Sequence, residues 1–287
     1  MSAKSLARII DTPSPHWVGD GFLVRPLFAD LAFTNAVSPF LMLDYAAPVA
    51  FKPSEKPQGV GPHPHAGFET VTIVYDGEVE HRDSAGNTGV IGKGDVQWMT
   101  AARGVVHEEF HSREAAKRGG VVSMAQLWVN LPKADKSAPP AYQDIRDADI
   151  PRVELANGGG VARVIAGALD GAKGPARTFT PMNVWDLDLK AGASITLPLS
   201  EGENLILPIF HGAVRVAGKT IGAGKVALFE PAGDSVTIEA LEPSRVLLLS
   251  GRPIDEPIAA YGPFVMNTRA DIQKAMDDYN RGAMGFL

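Results

Sequence analysis

Two short blocks recur in the same order along the 287-residue chain, and they limit its possible folds more than any other feature. Tyr75-Asp-Gly-Glu-Val79 lines up with Phe210-His-Gly-Ala-Val214. Downstream, Val90-Ile-Gly-Lys-Gly-Asp-Val-Gln-Trp-Met99 lines up with Thr220-Ile-Gly-Ala-Gly-Lys-Val-Ala-Leu-Phe229. The shared pattern is aromatic-x-Gly-x-Val, then Ile-Gly-x-Gly-x-Val. A glycine-punctuated hairpin unit present twice predicts a duplicated β domain.

The text around the blocks agrees. Segments 21–27, 40–45, 69–75, 79–83, 96–99, 105–110 and 124–129 are rich in branched and aromatic residues and bounded by Gly, Pro, Asn and Asp. They read as strands, and so do 161–166, 184–189, 204–210, 226–229, 236–238 and 245–249. Thirty glycines and 22 prolines supply the turns. Short strands at this spacing predict an all-β sandwich or barrel architecture. Between the two sets, Leu131-Pro-Lys-Ala-Asp-Lys-Ser-Ala-Pro-Pro140 reads as a linker or lid, which places domains at 1–135 and 136–287. The C-terminal end differs. Ile272, Ala275, Met276 and Tyr279 fall at helical spacing, Thr268 and Asp271 resemble a capping box, and Gly282 is a helix stop, so a short helix is expected over 271–279.

Composition narrows the function. With 27 Lys and Arg against 33 Asp and Glu, the net charge of −6 argues against a general nucleic-acid binder. The absence of cysteine rules out disulfide scaffolds, thiolate zinc sites and iron–sulfur clusters, so any metal must be held by His, Asp, Glu or backbone oxygen. No apolar run approaches the ~18 residues of a membrane helix, and residues 1–11 show no signal-peptide core, so a cytoplasmic protein is expected.

The chemistry lies in the histidines. His63-Pro-His65 is followed about forty residues later by His107-Glu-Glu109. Residues i and i+2 of a strand face the same side, so each pair can aim at one point while Glu108 points away. Three imidazoles and one carboxylate suit a divalent transition metal and leave positions open on an octahedral ion. Glu69 shares parity with His63 and His65 if their strand continues, which makes it a rival carboxylate. His81, His111 and Arg103 are weaker candidates for the pocket, as are the aromatic or apolar Phe51, Phe68, Trp98 and Met99. His211 reads as a structural or surface residue.

His63-Pro-His-Ala-Gly-Phe-Glu69, Gly77, Gly94-Asp-Val-Gln-Trp-Met99 and Gly104-Val-Val-His107 resemble the two cupin motifs, with one extra residue before Gly77 and a longer second motif lacking its proline. Together with Tyr261-Gly-Pro-Phe-Val-Met-Asn-Thr268, they look like the pirin family over nearly the whole chain. The resemblance implies a bicupin of two β-barrels, metal in the first only, and a ligand set of His63, His65, His107 and Glu109. It favours Glu109 over Glu69. In the second half the equivalent positions fall on Val236, Ile238 and near Pro198 and Ser200, none of which can ligate through its side chain in the same way.

The resemblance implies a quercetin 2,3-dioxygenase-like oxidoreductase that opens a small aromatic substrate with dioxygen. One divalent transition metal is expected, Fe(II) first, with Ni, Mn, Co, Cu and Zn suited to the same donors. Glu109, or an adjacent carboxylate, is the expected base for the substrate hydroxyl. The alternatives are an iron-dependent regulatory protein that binds a transcription factor or metabolic enzyme, and a plain β-barrel binding module. A monomer is expected, because duplication within one chain supplies the paired barrels.

Overall fold

The structure, a computed structural model, describes residues 2–29 and 35–287. The strands build two similar units. In the first, a seven-stranded sheet runs in the order Ala141–Ile145, Val96–Thr100, Phe68–Asp76, Gly120–Asn130, Phe40–Phe51, Phe22–Ala29 and His16–Val18. A four-stranded sheet accompanies it: Gly59–His65, Val105–His111, Val79–Asp83 and Thr88–Ile91. In the second unit the large sheet runs Leu6–Asp11, Lys225–Phe229, Asn204–His211, Ser244–Gly251, Met182–Leu189, Gly160–Ala166 and Arg152–Glu154. Its four-stranded sheet is Ser194–Pro198, Ser235–Ala240, Ala213–Val216 and Lys219–Gly222, in the same order as the first at equivalent positions. The sequence repeat is therefore a repeat of sheet topology.

Alternation along the strands sorts side chains into layers. Val71, Ile73, Trp98, Leu127 and Leu43 from the first large sheet meet Ile165, Val184, Ile206, Leu247 and Leu249 from the second, so the large sheets pack back to back. A second apolar cluster, with Leu197, Leu207, Val214, Val236 and Ile238, fills the second barrel. The cluster inside the first barrel is smaller: Phe22, Val24, Ala46, Val74, Val79, Ile91, Val122 and Met124. Polar side chains take the space left over.

Three pieces cross the division expected at 135. Strand Leu6–Asp11 pairs with Lys225–Phe229 of the second large sheet. Strand Ala141–Ile145 pairs with Val96–Thr100 of the first. The C-terminal tail returns to the first unit, where Ala66 bridges Phe264 and helix Arg269–Asn280 lays Ile272 and Ala275 beside Ala66 and Val106. Each crossing covers backbone or apolar surface that would otherwise be open.

The Thr268 hydroxyl caps the C-terminal helix by accepting from the Asp271 amide at 3.1 Å. Tyr279, assigned to the apolar face by spacing, stays 40% exposed, because the buried stripe ends before the last turn. The short helix Arg113–Arg118, capped by Ser112, is absent from the sequence reading; its six residues are too few to display a period. Among the described residues no helix is long and apolar enough to cross a membrane.

Candidate metal centre

Strand register brings the histidines together. Gly59–His65 runs antiparallel to Val105–His111, with His63 opposite His107 and His65 opposite Val105. A register shift after His107 places Glu109 against Val60, and on the other edge Glu109 faces His81 while His107 faces Asp83. The ring centroids of His63 and His107 lie 4.3 Å apart, those of His65 and His107 4.9 Å, and those of His63 and His65 4.8 Å. One potential ligand atom from each of His63, His65 and His107 lies within 4.8 Å of the others, and the same holds for His81, His107 and Glu109. His107 is the shared corner. Glu109 approaches the histidine trio through it.

The donor set fits a metal ion. His65 Nδ1 and His107 Nε2 are buried without a hydrogen-bond partner. A buried unpaired ring nitrogen is costly, and coordination is the chemistry that removes the cost. At the half-exposed rim, His63 Nδ1 lies 2.9 Å from the Gly61 carbonyl. Donation there fixes the tautomer that leaves Nε2 as the lone-pair donor. Burial, helped by the neighbouring His63, pulls the His65 pKa down to about 3 against the opposing Pro263 carbonyl. Burial holds His107 well below its ordinary value, with His65, His63 and His81 adding to the effect. Both rings are therefore neutral at pH 7, the form that ligates.

Glu109 is held by three donors. Thr72 Oγ1 and Gln97 Nε2 each donate to Oε1 at 3.3 Å, and Gln126 Nε2 donates to Oε2 at 2.9 Å. Next to it, His81 is fully buried, stacked on Tyr142 at 5.0 Å and 3.2 Å from the Asp83 carboxylate. The amides of Ala85 and Asn87 and the Asn87 side chain hold that carboxylate in turn. Burial opposes the Asp83 charge, yet the bonds from His81 and Asn87 keep its pKa below the ordinary value. His81 Nδ1 comes within 3.5 Å of His107 Nδ1, so an Asp83–His81–His107 chain backs the site. These supporting residues are missing from the sequence reading, apart from His81 as a possible pocket residue. The repeat carried the signal: His81 and Gln97 stand where the second half has Val216 and Ala227, polar groups in slots that are otherwise apolar.

Other candidates separate from the trio. The strand bearing His63 and His65 stops at His65, and the next begins at Phe68, so parity does not carry over to Glu69. Glu69 alternates with Val71, Ile73 and Tyr75 of the layer between the large sheets, and its Oε1 accepts from Thr100 at 2.7 Å. His111 turns to the Gly21 carbonyl at 2.9 Å and packs edge-on against Phe22 and Phe51. Trp98 belongs to the inter-sheet layer and Met99 to a small cluster with Ala101 and Val105, while Arg103 and His211 are exposed. Glu108 points outward and pairs with Arg82. Phe68 packs on His65 at 5.1 Å, and Trp128 lies 5.2 Å from His65 and 4.2 Å from Phe68, so aromatic rings wall this side. In the second barrel Leu197 stands opposite Val236, one residue from the expected Pro198, and Ile195 opposite Ile238. These side chains offer no ligand atom.

The comparisons with known proteins agree with this geometry. Residues 21–129 match the Pirin family model and residues 184–285 match the Pirin C-terminal cupin domain. A Pseudomonas aeruginosa protein provisionally named a quercetin 2,3-dioxygenase is 49% identical over 279 residues, covering 97% of this chain and 98% of that protein. A pirin-like protein of Caulobacter vibrioides is 42% identical over 249 residues, covering 85% of this chain and 86% of its own length. A crystal structure described as quercetin 2,3-dioxygenase from Acinetobacter baumannii superposes with a TM-score of 0.97 at 49% identity and covers 99% of both chains. Two cupin-type barrels, one with a histidine-rich wall, and full-length relatives at this identity place the chain in the pirin family.

Proposed function

We propose that this chain is a metal-dependent dioxygenase that opens a flavonol-type ring, with His63, His65, His107 and Glu109 holding one divalent transition ion. The observation that carries the reading is the pair of buried, unpartnered ring nitrogens on His65 and His107, set beside a carboxylate that three donors hold in place. The names of the full-length relatives support the reaction class. Fe(II) is the resident ion we infer, since imidazole and carboxylate together suit it. When bound, such an ion supplies Lewis acidity toward an enolate oxygen and a redox centre for dioxygen.

The protein's own residues do the rest. Neutral His65 and His107 present lone pairs without a competing proton. Thr72, Gln97 and Gln126 hold Glu109 beside His107, the corner that the two groups share. The Trp128 ring, backed by the buried Phe68, offers an apolar wall for an aromatic substrate beside His65. The overall conversion takes a flavonol and dioxygen to a ring-opened depside and carbon monoxide.

Elemental analysis of protein purified without chelator tests the site. About one equivalent of iron is expected in the wild type and almost none in His63→Ala. Oxygen uptake on adding air to an anaerobic mixture of the loaded protein and quercetin tests the reaction. Equal metal in both proteins sinks the ligand assignment. A loaded wild type that takes up no oxygen with the flavonol sinks the activity.

A further inference from the structure

A flavonol must lose its enolic proton before its ring becomes electron-rich enough for dioxygen, so the site needs a base with a free oxygen. Glu109 is poorly placed for that task. Its Oε1 already receives Thr72 and Gln97, its Oε2 receives Gln126, and what remains faces His107. A second carboxylate looks into the same barrel. Asp44 lies on strand Phe40–Phe51, opposite Gln126 on one side and Pro26 on the other. Ala46, two residues on and in unbroken register, belongs to the apolar filling of the first barrel, whereas Leu43 belongs to the layer between the sheets. Asp44 therefore faces the lumen. Its cross-strand partner Gln126 donates to Glu109, so one side chain separates Asp44 from the carboxylate assigned to the metal.

Asp44 is half-buried, and among the described residues no hydrogen bond or ion pair engages its carboxylate. Burial pushes its pKa up to about 6, with the charge of His16 pulling the other way. The titratable groups near it are His16, on the strand beyond its neighbour, and Glu109 behind Gln126. A carboxylate that titrates near neutrality, and that no donor among the described residues engages, suits proton abstraction. A purely structural aspartate would be expected to have donors of its own, as Asp83 does.

We propose that Asp44 is a catalytic residue of this site: its carboxylate takes the proton of an enolic hydroxyl adjacent to a ketone as the substrate enters the lumen. The assignment rests on the reading above. The substrate O–H bond breaks with its electron pair left on oxygen, and the proton forms a new O–H bond on an Asp44 oxygen. No oxidant is consumed in the step. The proton returns to solvent through the open side of the half-buried carboxyl once product leaves.

The test uses metal-loaded protein without oxygen and quercetin as the probe. Ionised flavonol absorbs at longer wavelength than the neutral form, so the spectrum of the bound probe reports the transfer without turnover. Wild type is expected to bind the probe ionised at pH 7. Asp44→Asn is expected to keep its metal and melting temperature, bind the probe in its neutral form, and lose about 10²–10⁴-fold in kcat when air is admitted. Asp44→Glu should recover part of the ionised band. If Asp44→Asn fails to fold, Asp44→Ser carries the same readout. An Asn variant that ionises the probe as the wild type does overturns the role of Asp44 and leaves the dioxygenase reading standing. A folded variant that loses its metal also overturns it, because the residue then serves site assembly. A loaded wild type that neither binds the flavonol nor takes up oxygen removes the dioxygenase reading and the base together.

Discussion

Replacing Glu69 by Gln separates two readings of the same acidic residue. Glu69 is fully buried, with Thr100 donating to one oxygen. Burial pushes its pKa up to about 7 from an ordinary 4.5, while the hydrogen bond from Thr100 and the nearby Trp98 indole hold the rise back. At low pH both the folded and unfolded chains carry the neutral acid. As pH climbs past 4.5 the unfolded chain ionises first, so stability falls until the folded carboxyl ionises near 7 and then levels off. The gap corresponds to about 3 kcal/mol at most. Gln is neutral throughout and keeps an oxygen for the Thr100 hydroxyl. Glu69→Gln should therefore match the wild type near pH 4.5 and exceed it by up to about 3 kcal/mol at pH 8, a gain of several degrees in Tm. His65 and His107 also make stability depend on pH, but they do so equally in both proteins and cancel in the difference. Melting curves from pH 4.5 to 8.5, paired with metal analysis, provide the assay. Parallel curves would refute the burial argument. Loss of the metal would return Glu69 to the ligand set.

Two further changes probe how the units hold together. Arg163 bonds Asp186 at 2.9 Å and Asp147 at 2.9 Å and also reaches the Gly94 carbonyl, joining the two large sheets. Arg163→Met leaves buried Asp186 without that partner and should cost about 3–5 kcal/mol, with Asp186→Asn restoring part of it; equal loss of Tm in both backgrounds would show that the pair is not coupled. Gly67 has φ +91°, and a Cβ there would lie 1.8 Å from the Val265 carbonyl. Gly67→Ala should push off the C-terminal strand, expose residues 259–287 to limited proteolysis and weaken metal retention; a tail as protected as the wild type's would refute this dependence.

What could be read in the sequence, and what could not, follows from the range of the forces involved. Strands such as 79–83, 105–110 and 204–210 show themselves because alternation is local, and the pairing of His63 with His107 follows once two such strands are taken as neighbours. Glu69 shows the limit of that reasoning. Parity holds only while a strand is continuous, and the turn at Ala66–Gly67 resets it, so a carboxylate that seemed aligned with the histidines faces the opposite layer. The turn has that shape because the tail crosses over it: Lys136 donates to the carbonyls of Gly67 and Val265 and to Asn130 at 2.6, 3.0 and 2.7 Å. That tie joins residues some two hundred positions apart, and no local pattern encodes it. The same holds for strand Leu6–Asp11, whose partner lies in the other half of the chain. The polar shell was closer to hand. Once the halves are aligned, a histidine in place of Val216 and a glutamine in place of Ala227 each put a buried polar group where its twin fills the barrel with carbon. Such a substitution destabilises a barrel unless the group has a partner, and His81 and Gln97 find theirs in Asp83 and Glu109. A duplicated fold thus supplies its own control, in which one copy shows what packing alone requires and a buried polar group in the other marks where packing is not the explanation.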